Sequence, residues 1–247
     1  MCAGLDLKVM KAYWQRPFDF QRSSAETLKK TDHIMNRLLP GIAAMAIIVV
    51  SSNILVQFLL LDGLLTWGAF TYPLAFLVTD LMNRVYGAAD ARRVVLVGFI
   101  AGIICSFAGS QITLQGDGYE YNAVAFRVAI GSGVAFLVAQ LTDIYVFDQL
   151  REGTWWRAPL VSSMIGSIID TALFFTIAFS ESVHLFSEAV DNEISWAWEL
   201  APLLTTGADA PLWMSLAIAD WIVKVLVAII ALIPFRFIIS KIFAVGT

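Results

Sequence analysis

The chain has 247 residues, 59% of them hydrophobic, and a mean hydropathy of +0.76, whereas an ordinary soluble domain is about 45–50% apolar. Cys2 and Cys105 imply no disulfide framework, and the isolated His33 and His184 suggest no metal cluster, so no cofactor is expected. The net charge of −4 says little alone, because the charges are sorted by segment and not spread along the chain.

The apolar residues are gathered into runs of roughly 18–25, the length a helix rising 1.5 Å per residue needs to cross about 30 Å of hydrocarbon. These runs are apolar nearly all round, which suits lipid and not an amphipathic soluble helix. In a bilayer, backbone hydrogen bonding permits only helices or a closed barrel, and the runs are too long and uniform for barrel strands. The expected fold is therefore an all-α integral membrane domain over 38–247, behind a polar, basic cytoplasmic arm over 1–37 that interleaves Trp14, Phe18 and Phe20. No early apolar run with a cleavage site precedes it, so no removable signal peptide is expected. Spans are predicted at 38–60, 68–82, 93–114, 123–147, 159–179 and 212–235. The long loop over 180–210 carries Trp196 and Trp198, a pair suited to a short helix at the outer headgroups.

Of the 16 Lys and Arg, seven precede the first span (Lys8, Lys11, Arg16, Arg22, Lys29, Lys30 and Arg37). Arg84, Arg92, Arg93, Arg151, Arg157, Arg236 and Lys241 fall on the same side of a six-span arrangement. The opposite loops hold no Lys or Arg, but carry Asp62, Asp117, Glu120, Glu181, Glu188, Asp191, Glu193, Glu199 and Asp209. The positive-inside rule then predicts six spans with both termini in the cytoplasm. No internal repeat is evident.

Inside the spans lie Asp80, Asp143, Asp170, Asp220, Arg127 and Lys224, each costing at least about 2.5–3.5 kcal/mol at a helix centre. Asp80 and Asp143 are expected near cytoplasmic helix ends, and Arg127 within snorkelling reach of the outer surface. Asp170 and Lys224 sit half-way along their spans and need partners or a wet cavity. Asp220 and Lys224 are four apart and can pair on one helix face. Ser163, Ser167 and Asp170 form one polar stripe, Asn53 and Gln57 another, and Gln140 and Asp143 a third; buried amides can also be plain interhelical glue. Gly98, Gly102, Ser106 and Ser110 read as a close-packing stripe. With the flat rings of Trp67, Phe70, Tyr72 and Phe174, such donors and acceptors suit a planar heterocycle better than an ion or a lipid.

These residues, in order, resemble a known family. Ser51-Ser52-Asn53 with Gln57, Thr66-Trp67-Gly68-Ala69-Phe70, Pro73, Thr79-Asp80, Gly87 and Arg92-Arg93 are similar to the queuosine precursor transporters, also grouped as vitamin uptake transporters. The likeness continues through Arg127, Ser132, Gln140, Asp143, Phe147, Trp155-Trp156, Pro159, Ser162, Asp170-Thr171, Phe174, Lys224 and Pro234. It implies a six-helix bacterial inner-membrane importer of 7-deazaguanines such as preQ0 and preQ1, for tRNA modification. It also implies a fold similar to the substrate-binding subunits of energy-coupling-factor importers, working without their ATPase module. Taken with the polar stripes, the expected substrate site comprises Asn53, Gln57, Trp67, Phe70, Asp80, Arg127, Gln140, Asp143, Ser163, Ser167, Asp170 and Lys224. In relatives the position of Ser167 is often an amide, so a hydrogen bond there is expected to be weaker or water-mediated here. The long arm and the acidic 180–210 loop also depart from the family pattern.

Three classes of function are open: a self-sufficient carrier, a binding subunit that needs an ATP-driven partner, and an intramembrane enzyme. Against the enzyme, no paired carboxylates at metal spacing, no nucleophile with a base and no His cluster are seen. The expected partners are a small-molecule substrate and the bilayer, without nucleic acid, and a homodimer is left open.

Overall fold

The computed structural model describes residues 36–55, 58–60, 64–116, 119–183 and 187–245. Residues 1–35 of the expected 1–37 arm and Gln57 therefore lie outside the described residues, and Asn36 and Arg37 belong to the first helix. Gly41–Thr247 packs as one unit.

Five helices are long and apolar enough to cross a membrane. They are α1 (Asn36–Leu55), α4 (Ala88–Ser110), α5 (Phe126–Leu150), α6 (Arg157–Phe179) and α8 (Leu212–Val245). The expected second span differs: it consists of α2 (Gly68–Thr71) and α3 (Leu74–Tyr86), and the 13 residues of α3 reach only about 20 Å. Pro73 explains the break, because it has no N–H to donate back to Ala69. Tyr72 and Pro73 both keep right-handed helical dihedrals. The backbone from Gly68 to Tyr86 therefore keeps a helical path through the joint, 19 residues or about 28 Å of helical rise.

The fold is not all-α in the strict sense. Short antiparallel hairpins lie between helices: β1 (Leu59–Leu60) with β2 (Leu65–Thr66), β3 (Thr113–Gly116) with β4 (Tyr119–Asn122), and β5 (Leu200–Pro202) with β6 (Asp209–Pro211). Between α6 and β5, α7 (Glu188–Asn192) and a 3-10 turn at Ser195–Trp198 place Trp198 so that its indole N–H donates to the Phe179 carbonyl at 2.7 Å. At the other end of the bundle Gly87 alone joins α3 to α4, at φ +91° and ψ 168°, a conformation few residues but glycine adopt.

The core sits where α3, α5, α6 and α8 meet. A Cβ on Gly131 would lie 3.2 Å from the Ala178 Cβ and backbone N, so α5 and α6 touch almost backbone to backbone. The predicted glycine stripe of α4 acts as packing at Gly98, whose added Cβ would strike Met45 and Phe136. Its far end does not, since Ser110 bonds its own helix at the Phe107 carbonyl. Outward faces carry Ile47, Ile104, Phe107, Ile230 and Ile233, all exposed. Exposed apolar surface on this scale marks a lipid-facing belt.

Candidate functional site

Two polar clusters lie buried among these helices. The first is built around Lys224 on α8, which is 4% exposed. Its ammonium donates to Asp170 Oδ2 at 2.6 Å, to Thr171 Oγ1 at 3.1 Å, and to Asp220 on its own helix. The three donors of a lysine are thereby used. Tyr72, at the joint between α2 and α3, donates its hydroxyl to Asp170 Oδ1 at 3.1 Å, and Thr171 donates to Asp220 Oδ2 at 2.9 Å. The ring of Tyr72 also lies 5.6 Å from the Lys224 nitrogen, within cation–π range. Sequence spacing anticipates the Asp220–Lys224 pair. It does not anticipate the hydroxyl of Tyr72, which the sequence offers only as a flat ring.

The second cluster joins α3, α5 and α6. Asp80 accepts hydrogen bonds from Ser162 at 3.2 Å and Ser163 at 3.1 Å. Thr79 donates to Gln140 Oε1 at 2.6 Å, which fixes the amide so that its Nε2 faces away from Thr79. Asp143 on α5 lies beside the Asp80 carboxyl, and the Ser162 hydroxyl bonds Asp80 and not Asp143. Among the described residues no donor is provided for either Asp143 oxygen, nor an acceptor for Gln140 Nε2. Both side chains are fully buried, and an unmet buried polar group costs about 1–3 kcal/mol. A cavity of about 10 Å3, bordered by Asp80 and Ser163, separates α3 and α6 from α8, room for roughly one water.

Asp80 and Asp143 thus depart from the expectation that they escape to the cytoplasmic surface. Their helices run on to Tyr86 and Leu150, so both carboxyls are held inside the bundle. Arg127 departs from its expected snorkelling too. It is 0% exposed, and it donates to the Ile177 carbonyl at 2.9 and 3.1 Å, the Ser180 carbonyl at 2.9 Å and Asp191 at 2.8 Å. This guanidinium ties the end of α6 to α7 and positions the loop between α6 and β5.

The remaining expected residues are dispersed. Ser167 is buried but donates to its own helix at Met164, and Asn53 donates to Val49, likewise within its helix. Trp67 and Phe70 face outward, 49% and 37% exposed, and pack on each other at 6.1 Å. Thr79, Asn83 and Thr171 are absent from the expected site. Thr79 and Asn83 flank Asp80 on the buried face of α3, and a 3-4 spacing of polar residues on a short apolar helix is the signal that finds them.

The family model described as "Putative vitamin uptake transporter" matches residues 66–239. The chain belongs to the vitamin uptake transporter family. The matched stretch holds every residue of both buried clusters. The queuosine precursor transporter of Escherichia coli (strain K12) is 33% identical over 197 residues, 76% of this chain and 79% of that protein. A probable queuosine precursor transporter of Haemophilus influenzae is 35% identical over 176 residues, 68% of this chain and 66% of that protein. A third relative, from Bacillus subtilis, is described in the same words and is 29% identical over 128 residues, 46% of this chain and 56% of that protein. No solved structure matches the chain. Family and relatives, with the apolar helices, make this a multi-pass membrane transport protein.

Proposed function

We propose that this protein imports queuosine precursors, 7-deazaguanines such as preQ0 and preQ1, across a bacterial inner membrane for tRNA modification. The observation that carries the reading is the unmet hydrogen-bonding set on α5. Gln140 and Asp143 are three residues apart on one helix face, and they offer one unpartnered amide nitrogen, a donor, and two unpartnered carboxylate oxygens, both acceptors. The pyrimidinone edge of a deazaguanine is the complement: a carbonyl acceptor beside two donors, N1–H and the 2-amino group. An adenine-like edge sets an acceptor lone pair against a carboxylate oxygen, and the buried mismatch is the source of selectivity.

In this reading α2 and α3 together make the sixth crossing, and both termini face the cytoplasm, which the basic residues flanking the α3–α4 and α5–α6 joints support. The arrangement is similar to the substrate-binding subunits of energy-coupling-factor importers, but the protein works without an ATPase module. The cavity of about 10 Å3 is far below the roughly 300 Å3 of a ligand pocket. Loading a base therefore requires α3 and α6 to part from α8.

The test is uptake of labelled preQ0, preQ1 and queuine into cells that lack their own route for these bases, with no other component added. Uptake of preQ0 and preQ1 is expected, and guanine should compete better than adenine. A folded, membrane-inserted protein that takes up neither overturns the proposal. Uptake that appears only with an added ATPase module assigns the protein to the binding-subunit class.

A further inference from the structure

We propose that Asp80 and Asp143 share one proton and that this proton enters with the substrate, making the protein a proton symporter. The proposal rests on the queuosine-precursor reading only for the solute used to test it. The two carboxyls come from different helices, are fully or almost fully buried, and are brought beside each other by two bonds that clamp α3 to α5, Thr79 to Gln140 at 2.6 Å and the Asn83 amide to the Ile144 carbonyl at 3.1 Å. Ionised carboxylates offer acceptors alone. The bond that their approach invites exists only if one of them carries a proton, and without it neither Asp143 oxygen has a donor among the described residues.

Among the described residues no cation forms a hydrogen bond or ion pair with either carboxyl. From α6 the pair meets only the hydroxyls of Ser162 and Ser163, both spent on Asp80. From α8 it meets apolar side chains, Ala228 and Leu232 among them. Lys224, further along α8, is occupied by Asp170 and Asp220. Asp90 and Arg93 of α4 pair with each other, as do Asp148 and Arg151 at the end of α5. Arg84, one turn beyond Asp80, is the cation that feels it; its Nη1 donates to the Arg151 carbonyl at 2.8 Å and its guanidinium lies over the Phe147 ring, while its buried Nη2 has no partner among the described residues and makes no bond to Asp80. A proton is the small cation that fits, and the water-sized cavity at Asp80 and Ser163 lets it arrive.

Coupling follows from sharing Asp143. A base that presents two N–H donors needs Asp143 as the anion, so the shared proton must sit on Asp80. With Asp80 ionised as well, two adjacent negative charges would face the bound base and weaken its hold. Base and proton are therefore taken up together, one of each, and released together on the inner side.

The experiment uses the full chain in sealed vesicles with an entrapped pH dye. Adding preQ0 outside, with no initial gradient, is expected to acidify the lumen by one proton per base entering. An acid exterior should raise preQ0 accumulation about tenfold per pH unit. Entry of preQ0 without acidification overturns the proposal. In Asp80→Asn, whatever exchange remains should be indifferent to the gradient, and a native response from that variant also overturns it. A measurement without solute separates this proposal from the substrate reading. The native protein should show the infrared C=O band of a protonated carboxyl at neutral pH, lost in the double variant Asp80→Asn/Asp143→Asn. No such band in the native protein sinks the shared proton. A band with no exchange of preQ0 at any pH leaves the proton pair standing and removes only the substrate.

Discussion

The two buried clusters are built from the same side-chain chemistry and are finished differently. Around Lys224 every strong donor has a named acceptor, and both carboxylates touch the cation. Around Asp80 and Asp143 no cation is in contact among the described residues, and three polar atoms on α5 are left over. Burial penalises both arrangements alike, so the contrast is in what is asked of them. A paired cluster locks α6 to α8 and gains nothing from a ligand. An unpaired one is costly until something with the complementary edge arrives, so ligand binding recovers what folding left unmet.

Breaking the paired cluster should have the largest effect. Lys224→Met leaves Asp170 and Asp220 facing each other without a cation, and about 3–5 kcal/mol of stability should be lost. The measurement is the unfolding midpoint of detergent-purified protein. Adding Asp170→Asn and Asp220→Asn to the variant should recover much of it, and a native-like midpoint for Lys224→Met alone would show that the cluster holds nothing together. The second experiment inverts the pattern. Asp143→Asn replaces a buried carboxyl by a neutral amide of the same shape that can donate to Asp80, so folded yield should be native or better. Uptake of preQ0 should fall by roughly 30–150-fold, the worth of about 2–3 kcal/mol of charge-assisted hydrogen bonding. A variant that fails to fold instead would erase the distinction between the clusters.

Asp170→Asn sharpens the comparison further. Lys224 keeps Asp220, so the loss should be about 1.5 kcal/mol of stability, with transport per folded molecule little changed. Normal folding with no transport would return Asp170 to the substrate. The smallest effect belongs to the outward ring: Trp67→Ala should change stability by less than about 0.5 kcal/mol and leave uptake native. A transport defect there, in normally inserted protein, would mean that the surface at Trp67 takes part in substrate entry.

Helix content and the inward polar stripes are legible in the sequence because bilayer length and 3.6-residue spacing are local properties. Asp220 with Lys224 is legible for the same reason. Partnerships between helices are not. Asp80 and Asp143 look like helix-end residues until α3 and α5 are seen to run on past them, and apolar composition does not mark where a helix stops. Arg127 looks able to snorkel because its acceptors, the Ile177 and Ser180 carbonyls and Asp191, lie 50 or more residues away. Trp67 and Phe70 suggest an inward position by ring shape alone, which does not distinguish a substrate-facing aromatic from a lipid-facing one. The interruption at Pro73 is visible as a residue, but its result, two helical pieces joined through right-handed dihedrals at Tyr72 and Pro73, depends on what packing selects.

Gly87 sets the mechanics of any opening. A single residue in an extended, positive-φ conformation joins α3 to α4, and a Cβ there would meet nothing within 4 Å. Space would therefore allow a side chain at this point, and the backbone angle is what disfavours one. With no slack between them, the end of α3 at this joint cannot shift without carrying the start of α4 with it. A displacement of α3 large enough to uncover Asp80 must be answered by α4, whose outer face rides in lipid. The thickness and lateral pressure of the surrounding bilayer thereby become a load on the gate, and transport rate should vary with acyl-chain length even where every polar contact is intact.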